Sequence, residues 1–234
     1  MIRAVFFDWF NTLAHYYPPR EDLERQALQE AGFTVSPQAV SRGLYLADKS
    51  FYEENARLPL RQRSREEQAK IYVNYQVIVL KEAGIEPSQD LVFRLTARMR
   101  ELNTTMRFVL YDDVVDTLKT VKARGLKVGL LTNLQTEIDS MCRELGIAPY
   151  IDFIVTSGEV GADKPQPPIF LRALELAKAR PAEAIHVGDQ YQNDCQGARG
   201  VGINPLLIDR DGLYPEVKDC PRIRKLSEVT RFLD

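Results

Sequence analysis

The chain has 234 residues, enough for one sizeable core and a smaller second unit. Its 31 basic and 33 acidic residues give a formal net charge of -2, with no basic stripe to neutralise phosphate backbones, so nucleic acid is excluded as a main partner. The apolar run Ala4 to Phe7 is far shorter than a signal peptide's core or the roughly 20 residues of a membrane span, and the three cysteines, Cys142, Cys195 and Cys220, stand far apart without CxxC spacing. The thiols read as reduced, the expected setting is the cytoplasm, and no membrane partner is expected.

Ala4-Val5-Phe6-Phe7 is a continuous apolar run of β-formers closed by Asp8, the pattern of a parallel strand buried on both faces. From about His15 to Met106 no convincing strand follows; amphipathic helical patterns run from Glu21 to Glu30, Pro37 to Glu54, Ser64 to Ala83 and Gln89 to Leu102, punctuated by Gly32, Pro59 and the Gly84 to Pro87 turn. Beyond position 112, strand runs at Val128–Leu131, Phe153–Val155, Ala184–Val187 and Pro205–Ile208 alternate with helical patterns at Val114–Arg124, Thr136–Leu145, Ile169–Lys178 and Asp194–Arg199. Alternation of this kind predicts a doubly wound parallel sheet of the Rossmann-like α/β class. A single strand cannot make a core by itself. The helical stretch therefore reads as an insertion, with residues 1–14 and 107–234 forming the core and 15–106 a helical cap.

Open parallel sheets bind ligands at the carboxyl ends of their strands, so the polar residues that follow each run belong together. Asp8 and Thr12 follow the first strand, and Thr132 and Asn133 follow Leu131. Lys164 lies in the loop after Val155, and Gly188, Asp189, Asn193 and Asp194 follow Val187. Any one of these is more often a helix cap or turn residue; the ordered set of four groups is not.

The segments Phe6-Phe7-Asp8-Trp9-Phe10-Asn11-Thr12-Leu13, Leu130-Leu131-Thr132-Asn133, Gly161-Ala162-Asp163-Lys164-Pro165-Gln166-Pro167-Pro168-Ile169-Phe170 and Val187-Gly188-Asp189-Gln190-Tyr191-Gln192-Asn193-Asp194-Cys195-Gln196-Gly197-Ala198 resemble the four motifs of the haloacid dehalogenase-like superfamily, in order. The resemblance implies an inserted cap expected to close over the carboxylate, and a hydrolase whose nucleophile is Asp8, attacking phosphorus or an activated carbon. It implies that Lys164, the Thr132 hydroxyl and the backbone amides around Trp9 and Phe10 neutralise charge on the reacting group, with Thr12 and Asn133 beside them. Asp8, Asp189 and the Phe10 carbonyl match the family's Mg²⁺ ligands, and Asp194 is expected to support Lys164 or a metal-bound water. Thr12 is expected to tie the turn after Asp8 through its hydroxyl. His15 and His186 are not expected to be catalysts, and the Tyr16-Tyr17 pair and Arg20 at the hinge read equally as cleft or packing residues. The expected partner is a small-molecule substrate, and the chain is expected to act as a monomer or homodimer.

One position departs from the pattern. Family phosphatases carry a second Asp two residues after the nucleophile, where this chain has Phe10, and a phenyl ring cannot protonate a leaving alkoxide. Three readings follow: a Mg²⁺-dependent phosphatase acting on substrates that need little protonation or that recruit an acid; a metal-independent 2-haloacid dehalogenase, with Arg42 a candidate for the substrate carboxylate; and a binding module without turnover. A phosphonate-cleaving variant would need a cap lysine, and Lys49, Lys70 and Lys81 are not assignable to that role from sequence.

Overall fold

A computed structural model describes residues 1–134 and 138–234. The chain divides into two units, Met1–His15 with Val109–Asp234, and Tyr16–Phe108. In the first, a six-stranded sheet runs in the order β5-β4-β1-β6-β7-β8, where β1 is Ala4–Phe7, β4 Lys127–Thr132, β5 Phe153–Thr156, β6 Ala184–Gly188, β7 Asn204–Ile208 and β8 Arg222–Ile223. Every pairing is parallel, with Phe7 set between Leu130 and Val187. The fold is therefore the doubly wound Rossmann-like α/β class expected from the alternation of runs. All four residues of β1 are buried, which is why that run carries no polar alternation.

Helices α5 (Val114–Ala123), α6 (Ile138–Glu144), α7 (Ser157–Val160), α8 (Pro167–Ala177) and α9 (Gly197–Gly200) join the strands. Pro167 starts α8 because a proline in the first turn forfeits no helical hydrogen bond. Ile169, Phe170, Ala173 and Leu174 of that helix pack with Phe6, Leu131 and Val155. The expected helix start at Thr136 lies outside the described residues. The expected helix from Asp194 to Arg199 lies within a longer helical stretch that begins as a π-helical turn over Tyr191–Gln196 and runs into α9. At its start the Asp194 amide donates to the Gln190 carbonyl at 2.8 Å, and the Asp194 carboxylate accepts the Gln190 amide at 3.0 Å.

The second unit contains helices α1 (Arg20–Glu30), α2 (Pro37–Arg57), α3 (Arg65–Glu82) and α4 (Gln89–Asn103) around Leu28, Val40, Leu44, Val79, Leu80 and Leu95. Helix α3 opens with a reciprocal capping box between Ser64 and Glu67. The chain passes between the units along a two-stranded ribbon of β2 (Ala14–Tyr17) and β3 (Arg107–Leu110). This corrects the strandless reading of residues 15 to 106: a four-residue strand of His and Tyr carries no period to detect. Among the described residues no helix is long and apolar enough to cross a membrane.

Candidate active site

Four chain segments bring the site together. Asp8 follows β1 directly, and its amide donates to Val187 O at 2.8 Å, so the nucleophile candidate is tied to the neighbouring strand β6. Beyond it the chain turns back through Leu13 and Ala14 amides donating to Trp9 O, with Asn11 in the left-handed region at φ 58°. An Asn tolerates that conformation better than most residues. Asp189 follows β6, Asp194 projects from the π-helical turn, and Lys164 arrives from the loop after α7, where Gly161 at φ 71° stops the helix in a left-handed cap.

The ammonium of Lys164 is buried and donates three hydrogen bonds: to Asp8 Oδ1 at 2.5 Å, Asp194 Oδ1 at 2.7 Å and Leu131 O at 3.1 Å. That satisfies all three of its donors. Asp194 Oδ1 also lies 2.9 Å from His186 Nε2. Room for this carboxylate exists only because position 188 is glycine: a Cβ there would sit 2.1 Å from Asp194 Cγ. Asn133 grips Lys164 at its backbone, accepting the Lys164 amide at 2.7 Å and donating to the Lys164 carbonyl at 3.1 Å, and Asn133's own carbonyl accepts the Ser157 hydroxyl at 3.1 Å.

Burial pushes the Asp8 carboxyl up to about 6, resisted by Lys164 and reinforced by Asp194. Asp189 is held well above the usual carboxylate range by burial and by the neighbouring Asp8 and Asp194. Asp194 goes the other way: against burial, Lys164 and His186 hold it well below the ordinary value. Burial keeps His186 neutral by lowering its pKa, while the carboxylates of Asp194 and Asp8 outweigh burial at Lys164 and raise it. Asp8, Asp189 and Asp194 can each offer an oxygen such that all three lie within 4.8 Å of one another. Asp8 Oδ2 and Asp189 Oδ1 are buried without a hydrogen-bond partner. Oxygen donors so placed fit a hard divalent cation.

The structure thus gathers Asp8, Lys164, Asp189 and Asp194 in one cluster, with Thr132 buried at the end of β4 and its hydroxyl accepting the Leu134 amide at 3.1 Å. Trp9 is wholly buried, and its amide donates to the Asp8 carboxylate; Phe10 is half-buried and bridges to Ala14. The Asn133 side chain bonds both backbone groups of Lys164. One expectation is corrected. Thr12 does not tie its turn through the hydroxyl, which is buried without a partner; the backbone closes that turn, and the Thr12 carbonyl instead accepts Arg210 Nη2 at 2.9 Å. His186 and Ser157 touch the cluster but were not assigned to it from sequence; His186 carried a signal, a titratable side chain in the middle of an otherwise apolar strand run. Away from this cluster, Arg20 pairs with Asp48 inside the helical unit, and His15 stacks on Tyr111 with centroids 4.5 Å apart.

A parallel sheet that presents a buried carboxylate and lysine cluster at its strand ends holds that cluster where open α/β folds bind their ligands. The model of the haloacid dehalogenase-like hydrolases matches residues 2–202, and the chain belongs to that family. It is 28% identical over 234 residues to human haloacid dehalogenase-like hydrolase domain-containing protein 3, covering 99% of this chain and 92% of that protein. It is also 28% identical over 248 residues to the glyceraldehyde 3-phosphate phosphatase of Methanopyrus kandleri, covering 100% and 99% of the two chains. Among solved structures, a Bacillus subtilis hydrolase of the family, crystallised with magnesium, superposes with a TM-score of 0.65 at 19% identity, covering 99% of this chain and 98% of its own.

Proposed function

We propose that the protein is a Mg²⁺-dependent phosphatase for a small phosphorylated metabolite, with Asp8 as nucleophile. The observation that carries this reading is the charge of the buried cluster. Three carboxylates share one ammonium and a neutral imidazole, and one oxygen each of Asp8 and Asp189 has no donor. A divalent cation answers both deficits. Asp8, Asp189 and the Phe10 carbonyl would hold it, and when bound it supplies positive charge beside the phosphoryl oxygens.

In this reading a carboxylate oxygen of Asp8 attacks phosphorus, the bond from phosphorus to the ester oxygen breaks, and the alkoxide leaves; water then attacks the aspartyl phosphate and releases inorganic phosphate. Lys164 fixes Asp8 and offsets charge on the transferring group, a term worth several kcal/mol in such sites. The Thr132 hydroxyl, which accepts from Leu134, keeps its proton to donate to a phosphoryl oxygen, and the Trp9 and Phe10 amides complete the cradle. Asp194 positions Lys164, and Asn133 positions its backbone. Phe10 supplies no proton, and the missing general acid costs about 10²–10⁴ in rate. Acidic leaving groups are therefore preferred. The Methanopyrus kandleri phosphatase supports a small phosphorylated substrate.

Phe10 also favours a second reading, the 2-haloacid dehalogenase, because halide leaves without a proton. Against it, the acidic cluster repels an anionic haloacid, and Arg42, the candidate for its carboxylate, is 73% exposed and paired to Glu82 at 2.8 Å. The deciding experiment pairs phosphate esters with Mg²⁺ against haloacids with chelator. Phosphate release that requires Mg²⁺, about 10²-fold faster for p-nitrophenyl than for an alkyl ester, is expected. Mg²⁺ is also expected to raise the thermal midpoint of the wild type but not of Asp189→Asn. Chloride release from 2-chloropropionate in chelator, with no phosphate released, would sink the proposal.

A further inference from the structure

We propose that Cys195 and Cys220 are a redox modification site, a dithiol that closes to a reversible disulfide and staples the end of the sheet to the turn carrying Asp194. Twenty-five positions apart in sequence, the two sulfurs lie 3.0 Å from each other as free thiols. Both side chains are buried and pack with Leu207, Tyr191, Tyr214 and Val217. The inference does not depend on the reaction proposed at Asp8.

Two sets of contacts hold the pair in register. On the Cys220 side, the Leu207 amide donates to Pro221 O at 2.9 Å, and β8 pairs Arg222 with Leu207. Across the gap, Tyr191 from the π-helical turn donates to Asp219 Oδ2 at 2.7 Å, and Arg199 pairs with the same carboxylate from α9. The segments that bear the two thiols are thereby clamped to each other. A disulfide requires the sulfurs to approach to about 2.05 Å, so only about 1 Å separates the reduced geometry from the bonded one. Cys220 lies between exposed Asp219 and exposed Pro221, which gives an oxidant access through a small local opening. Cys142, buried on α6 and not part of this cluster, serves as the internal reference.

In the reaction two S–H bonds break and one S–S bond forms. The two electrons and two protons pass to an oxidant, either a low-molecular-weight disulfide, reduced to two thiols, or a diazene, reduced to a hydrazine. The closed loop runs from 195 to 220 and encloses β7 with the excursion after it. Because Cys195 follows Asp194 directly, the bond anchors the turn that holds the Lys164 ammonium.

The test treats the folded full chain with the diazene oxidant diamide and then counts thiols under denaturing conditions. The count is expected to fall from three to one. Non-reducing peptide mapping is expected to find the Cys195 and Cys220 peptides joined, and the thermal midpoint to rise by roughly 5–10 °C, reversibly with dithiothreitol. Cys142→Ser should oxidise as the wild type does, whereas Cys220→Ser should keep both its thiols. Mapping of the wild type decides the matter even where a variant folds poorly. Three thiols surviving treatment, or a bond that involves Cys142 or a second molecule, would overturn the assignment.

Discussion

Each unit of the protein contains a cluster of buried and half-buried polar and charged groups, and the two are built differently. In the helical unit the Arg20 guanidinium reaches both oxygens of Asp48, Tyr75 donates to Asp48 Oδ1 at 2.8 Å, and Gln76 donates to Glu24 at 2.5 Å. Among the described residues, every buried side-chain atom without a hydrogen-bond partner lies in the sheet unit, Asp8 Oδ2, His186 Nδ1 and Asp189 Oδ1 among them. A polar cluster that serves folding closes on itself. One that leaves carboxylate oxygens unpaired beside each other carries a standing cost, and such a cost is retained where a ligand relieves it.

The sharpest way to break this contrast is Asp8→Asn. If Asp8 is the nucleophile, kcat falls by roughly 10³-fold or more. Stability should hold or rise, because one of three crowded carboxylates is gone. Steady-state rates on p-nitrophenyl phosphate and a thermal melt read both. Near-normal turnover with a large loss of stability would make Asp8 a structural acid like Asp48.

A paired comparison of cations comes next in size. Lys164→Met leaves carboxylates buried without their counter-charge, a change that costs about 3–5 kcal/mol. Arg20→Met breaks a pair whose side chains are 23% and 17% exposed, so solvent screens the loss and about 1 kcal/mol is expected. Urea unfolding of both variants in chelator measures the difference. Equal losses would erase the distinction between the clusters.

Much of the sheet unit was legible beforehand because burial on both faces leaves a strong mark. Ala4–Phe7 is a strand over those same residues, and Ala184–Val187 extends by Gly188 alone. The helices of the inserted segment were legible from their amphipathic patterns and from the breaks at Gly32, Pro59 and Gly84. What was hidden were relations between distant residues. β2 and β3 pair along short polar strands without a period, and Cys195 meets Cys220 through the pairing of β7 with β8. The meeting of Asp8, Lys164 and Asp194 could be inferred because each follows a strand run. That Asn133 serves the Lys164 backbone, or that Gly188 makes space for Asp194, depends on side-chain geometry that no spacing encodes.

The smallest expected effect tests the satisfied cluster at its weakest member. Glu24 is buried with Gln76 as its hydrogen-bond donor, and burial raises its pKa above the ordinary 4.5 in spite of Gln76 and Arg20. The fold therefore binds the Glu24 proton more tightly than the unfolded chain does. Its contribution is fully favourable below pH 4.5, and it is lost as pH rises through the higher folded value. Glu24→Gln keeps an oxygen to accept from Gln76 and removes the charge. The variant should gain about 1 kcal/mol at pH 7.5, the ordinary scale of one buried polar adjustment, and the gain should vanish toward pH 4. Melting curves of both proteins across that range provide the check. A gain independent of pH would assign the effect to packing, and a loss at pH 7.5 would show that the ionised carboxylate holds the helices together, making the cap cluster as dependent on charge as the one around Lys164.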